Sequence, residues 1–177
     1  MSFAGLKKKT TQKSYEKLLK NIRKSDTVIP DKITSVGILA DSRLFGSYDI
    51  SRNLSQKLGI ESRHFEIIIF ENLKDDFVAQ HYNTFTEKDF GMYGKVKAQN
   101  VQDFINTNYD LLINFSNQNN VYLNLVALQS KAKFKVGFAN DDLTNLYDFM
   151  INVESNKIDI FTDELAKYLQ ILKLIKK

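Results

Sequence analysis

Five short, largely apolar runs punctuate the chain: SVGILA at Ser35–Ala40, HFEIIIF at His64–Phe70, DLLINF at Asp110–Phe115, FKVGF at Phe134–Phe138 and YDFMINV at Tyr147–Val153. Runs of this length with little polar alternation are the form a strand takes when both faces of its sheet are covered. The intervening segments carry helical spacing, and a strand, helix, strand succession pairs its strands in parallel through a right-handed crossover. A further short strand is expected near Thr86–Phe90, which makes the order α-β-α-β-(β)-α-β-α-β-β-α. That order predicts an α/β fold, a three-layer, doubly wound and mostly parallel sheet of five to six strands of the Rossmann-like or flavodoxin-like kind.

The helices between the runs are legible from their stops and stripes. One is expected from about Ser47 to Leu58, ended by Gly59, since glycine adopts the left-handed conformation that closes a helix. A second spans Val101–Asn108 with Val101, Phe104 and Ile105 inward. A third spans Val121–Lys131 behind the polar loop SNQNN, and the last starts near Asp159 with Leu165, Tyr168, Leu169, Leu172 and Ile175 at helical spacing. Residues 71–99 are rich in aromatics (Phe77, Tyr82, Phe85, Phe90, Tyr93) and closed by Gly91 and Gly94. Such a stretch serves either as a binding lid or as an apolar plug over one sheet edge.

Charge divides the chain in two. Residues 1–24 hold eight Lys or Arg (Lys7, Lys8, Lys9, Lys13, Lys17, Lys20, Arg23, Lys24) against one acid, Glu16. Their net of +7 leaves −3 for the rest of a chain at +4. We therefore read residues 1–24 as a basic N-terminal arm and helix, and residues 25–177 as a single α/β domain. Tyr15, Leu18, Leu19 and Ile22 give the segment Lys13–Lys24 an apolar stripe by which it is expected to dock, its lysines facing outward. A cationic segment on a slightly acidic body implies an anionic partner: RNA, a ribosomal surface, a larger complex or an anionic membrane.

Composition removes several chemistries. With no cysteine, thiolate metal sites, disulfides and cysteine nucleophiles are excluded. His64 and His81 lie apart in the chain, so no histidine-rich metal centre is expected, which leaves open only a carboxylate-bound Mg²⁺, and no cofactor motif stands out. The first residues lack the apolar core of a signal peptide, and no apolar run approaches the roughly 20 residues of a membrane span. A cytoplasmic location is the expectation.

In folds of this class ligands lie outside the carboxyl ends of the strands, where strand order reverses. The polar residues expected there are Asp41, Ser42 and Arg43 after the first strand, Asn72 after the second, Ser116, Asn117 and Asn119 after DLLINF, and Asn140 with Asp141 and Asp142 after KVGFA. Asp41, Ser42, Arg43, Ser116, Asn117 and Asn140 are the candidate ligand pocket, weighed against an ordinary role in turns and helix caps. DSRLFGS at Asp41–Ser47 has one glycine and matches neither the dinucleotide fingerprint nor the P-loop. No constellation here forms a catalytic signature.

The run YDLLINFSNQNNVYLNLVALQSKAKFKVGF at Tyr109–Phe138 resembles the late part of the N-terminal Rossmann-like half of the heptosyltransferases, in which a DLVID-type strand, a helix and a strand ending R-V-G-F follow one another. The resemblance implies that fold element. Where those enzymes carry a catalytic acid in a Gly-Asp turn, this chain has Gly46-Ser47, so no catalytic acid is implied. As a whole the sequence also resembles a family of short, uncharacterised bacterial α/β proteins. Two functions follow as expectations: a non-enzymatic binding or assembly module using its basic segment, or a small-molecule-binding protein or degenerate glycosyltransferase-like enzyme with its site at the strand ends.

Overall fold

A computed structural model describes residues 2–22, 28–45, 49–72, 83–116, 119–154 and 157–176. Among them six strands form one sheet: β1 (Val36–Asp41), β2 (Phe65–Phe70), β3 (Thr84–Phe85), β4 (Leu111–Phe115), β5 (Phe134–Phe138) and β6 (Phe149–Ile151). Their spatial order is β3-β2-β1-β4-β5-β6, and every neighbouring pair is parallel. β1 is central, with Val36 opposite Phe65 on one side and Leu111 on the other. The chain runs outward from β1 to β3 and then returns to start β4 beside β1. The reversal of strand order therefore falls between β1 and β4.

The helices are α1 (Phe3–Asn21), α2 (Ser42–Phe45), α3 (Ile50–Leu58), α4 (Gln99–Asn106), α5 (Val121–Gln129) and α6 (Ile158–Ile171). Alternate residues of each strand feed opposite sides of the sheet. Val36, Ile38, Leu111, Ile113, Phe115, Val136 and Phe138 pack with α3 and α6. Leu39, Ile68, Phe70 and Leu112 pack with α4 and α5. β1 and β4 are buried along their whole length, as largely apolar sequences require, and the buried polar Asp41 and Asn114 are hydrogen-bonded to Arg43 and Tyr147.

Two glycines let aromatic rings lie flat on the α4/α5 side of the sheet. A Cβ at Gly37 would stand 2.7 Å from the ring of Tyr109, and one at Gly137 would stand 2.5 Å from that of Tyr147. Gly59 closes α3 at φ 64°, as expected from its position. The short strand expected at Thr86–Phe90 instead lies two residues earlier, at Thr84–Phe85. Thr86 opens a 3-10 turn, because its hydroxyl and the Asp89 carboxylate form a capping box that satisfies backbone donors more locally than strand pairing does. Phe85 and Phe90 are buried, so the described part of the aromatic stretch covers the β2 edge. Phe77, His81 and Tyr82 lie outside the described residues.

α5 is the most apolar helix and is buried from Val121 to Leu128 on every side. A helix apolar all round needs cover on its outer face as well as its inner one. α1 supplies that cover. It packs on α5 and on the turn at Met92–Gly94, burying Lys7, Thr11 and Tyr15. The basic segment is thus a structural layer over α5.

Candidate functional site

α1 begins ten residues before the helix expected from the apolar stripe, because the Ser2 hydroxyl caps it by accepting from the Gly5 N–H at 3.2 Å. Its docking face differs too. Lys7, Thr11 and Tyr15 are buried and Leu19 half-buried, a ridge of fourfold spacing, whereas Leu18 and Ile22 are exposed. Two polar residues in the buried ridge hide it from a reading based on apolar periodicity. Lys7 was expected on the open cationic surface. It is only 9% exposed, and its ammonium donates to the Glu87 carbonyl at 2.7 Å. Tyr15 is buried, and its hydroxyl has no partner among the described residues. Burial, and secondarily the charge of Asp142, push that phenol up to about 12.

At 100° per residue, Lys9, Lys13, Lys17 and Lys20 fall together on the side of α1 opposite the buried ridge. All four are exposed, and none is ion-paired among the described residues. They span about 16 Å along the axis. Arg23 and Lys24 lie outside the described residues.

Lys8 faces sideways, toward the strand ends. It lines a cleft of roughly 160 Å³ together with Arg43 after β1, Phe70 and Asn72 after β2, Glu87, and Asn119, Asn120, Val121 and Tyr122 at the start of α5. The cleft stands outside the β1/β4 reversal, where topology locates ligand sites. One wall is the α5 N-terminus, whose first N–H groups point outward. The Asn120 side chain accepts from the N–H groups of Tyr122 and Leu123.

Arg43 is held by Asp41. Its Nε donates to Asp41 Oδ1 at 2.8 Å and its Nη2 to Oδ2 at 2.5 Å, and the Arg43 N–H donates to Oδ1 at 3.1 Å. Asp41 is 1% exposed, a charge the interior tolerates only through this fork. The hydrogen bond raises the Arg43 pKa further, against a smaller opposing effect of burial. Among the described residues, the pair leaves guanidinium donors of Arg43 without a partner. Tyr122 is buried, its hydroxyl has no partner among the described residues, and burial together with the Glu87 charge raises its pKa.

Of the residues expected at the strand ends, Asp41, Arg43 and Ser116 gather at the β1/β4 reversal. Ser42 opens α2. Asn140 sits one strand further on and caps the turn Asp141–Leu143 by accepting from Asp142 N–H, so the adjacent acids serve a turn. Asn117 lies outside the described residues. Lys8, Glu87 and Tyr122 were not expected in the cleft. They come from other parts of the chain, and only the packing of α1 and of the Thr86–Asp89 turn brings them in. Among the described residues no group of three His, Asp or Glu is placed to hold a metal, and no helix is long and apolar enough to cross a membrane.

Residues 7–172 match DUF6913, a family of unknown function. The match includes all but the first turn of α1, together with the whole sheet. No curated protein and no solved structure matches the chain.

Proposed function

We propose, for a chain that belongs to the DUF6913 family and takes no activity from that membership, that it is a non-enzymatic binding module whose helix α1 engages RNA, on the ribosome or within a larger complex. A cytoplasmic site of action, in a bacterial cell, accords with that partner. The observation that carries the reading is the row of Lys9, Lys13, Lys17 and Lys20, without an ion pair among the described residues and facing away from a body of net charge −3. A row of free ammonium groups attracts a phosphate backbone and releases its counterions. The test replaces the four lysines by glutamine and measures the affinity for a single-stranded RNA at fixed, moderate salt. The reading expects a loss of tenfold or more with the melting temperature unchanged. Equal affinities for wild type and variant refute it, and capture by anionic vesicles in preference to RNA reassigns the face to a membrane surface.

A second reading rests on the cleft. Lys8, Arg43, Asn72, Asn119 and Asn120 around the α5 N-terminus suit a small phosphorylated ligand, as in a small-molecule-binding protein or a glycosyltransferase-like relative. Thermal stabilisation by a nucleotide or sugar nucleotide, lost in Lys8→Gln, supports it; no shift at high ligand excess counts against it.

A further inference from the structure

Tyr93 stands in a conformation that its own side chain disfavours. Its backbone is left-handed, φ 59° and ψ 21°, and Gly94 follows at φ 73°. The Lys95 N–H donates to the Met92 carbonyl at 3.3 Å, which makes Met92–Lys95 a type I′ turn. The first central position of that turn belongs by preference to Asn, Asp or Gly, and a residue with a bulky side chain there is strained. Strain of this sort persists only where the surroundings hold it, yet the residue is 67% exposed.

The turn is nevertheless rigidly seated. A Cβ at Gly94 would meet Leu125 of α5 at 2.5 Å and Thr11 of α1 at 3.2 Å, so the backbone lies directly against both helices. The Tyr93 N–H donates to the Thr10 hydroxyl at 3.3 Å, the Gly91 N–H donates to the Lys95 carbonyl at 2.7 Å, and Phe90 bridges Val96. Thr10 is one helical turn from Lys13. Lys95 and Lys97, on the same hairpin, are exposed. An exposed tyrosine is therefore carried on a seated backbone, hydrogen-bonded to Thr10 of the helix that bears the lysine row, with the exposed Lys95 and Lys97 two and four residues further along the hairpin.

We infer that Tyr93 is a stacking platform for an unpaired base, and that the anionic partner of α1 is single-stranded nucleic acid and not duplex. The inference rests on the RNA reading above and narrows it. A ring face bordered by cations is the arrangement by which single strands are held, since every base offers a π-face while the ammonium groups follow the backbone. A duplex keeps its bases stacked and has none to offer. The seated turn holds the Tyr93 backbone in place, so little main-chain ordering is needed on binding.

The test measures binding of a fluorescent oligouridine and of an RNA duplex of equal length to the full chain and to Tyr93→Ala, Tyr93→Phe and Tyr93→Gly, beside the four-lysine variant. Tyr93→Ala and Tyr93→Gly are expected to weaken oligouridine binding about fivefold or more and to leave duplex binding unchanged. Tyr93→Phe retains the ring and the affinity. Tyr93→Gly also relieves the turn, so its melting temperature is not lowered, which separates lost stacking from lost folding. If Tyr93→Ala stays within twofold of wild type while the four-lysine variant loses affinity, the stacking inference is wrong and the RNA reading stands. If neither RNA binds the wild-type chain, both are wrong.

Discussion

The Lys7 ammonium donates to the main-chain carbonyl of Glu87 at 2.7 Å across 80 residues of sequence, fastening α1 to the turn beside the β3 edge. One helix therefore does two things. Its inner ridge closes the apolar surface of α5, and its outer row of lysines meets solvent. Removing residues 1–24 to test for RNA binding would confuse the two, because it also uncovers α5.

The inner ridge is tested at Tyr15. Tyr15→Ala leaves a cavity against α5 and is expected to cost about 3 kcal/mol. Tyr15→Phe removes a buried hydroxyl that has no partner among the described residues and is expected to be neutral or slightly stabilising. Chemical denaturation of the two variants measures both.

At the strand ends, Arg43→Met strands the buried Asp41 carboxylate and is expected to destabilise the fold by about 3 kcal/mol. Lys8→Met removes an exposed cation from the same cleft and is expected to change stability by less than about 0.5 kcal/mol. A thermal melt of each variant distinguishes the structural cation from the free one.

Asp110 supplies the clearest dependence on pH. Burial alone would raise its pKa, but donors from Lys133 at 2.8 Å and from the Thr34 hydroxyl at 2.7 Å and N–H at 2.9 Å, with the Lys133 charge, outweigh it and hold the carboxyl at about 2. The unfolded value is near 3.9, so the folded state binds the proton less readily. The stabilisation is fully present above about pH 4 and is lost as pH falls toward 2. Asp110→Asn is expected to lose about 2 kcal/mol at pH 7 and to show a flatter stability profile between pH 4 and 2.

Lys135 runs the other way. Burial pushes its ammonium down to about 8, against the opposing charge of Asp148. Below that pH the folded state carries a charge it disfavours, and the penalty is relieved as pH rises toward the unfolded value near 10.4. Lys135→Met is expected to raise the melting temperature by about 2 to 4 °C at pH 7, with the difference shrinking by pH 10.

The central strands were legible because burial on both faces writes a run with little polar alternation, as in Leu111–Phe115, where Asn114 is the one polar residue. Their parallel order followed from the helices between them. Asp41, Arg43 and Ser116 were found at the reversal because topology alone directs β1 and β4 there. The docking of α1 was not legible. Its ridge contains Lys7 and Thr11, residues whose burial depends on a carbonyl offered by a distant turn and on a close-packed glycine. The one hint was in α5, where Tyr122, Leu125 and Leu128 are more apolar than a helix open to water would be. Lys8 reached the cleft through the same docking, so that contact too was invisible until α1 had a place.

The salt dependence of RNA binding tests the central claim most directly. Comparing the wild-type chain with the variant lacking the Lys9, Lys13, Lys17 and Lys20 charges, the plot of log affinity against log salt should become shallower by about 3 for a single strand, with both proteins equally folded. Superimposable slopes would contradict the assignment of that lysine row to an RNA backbone.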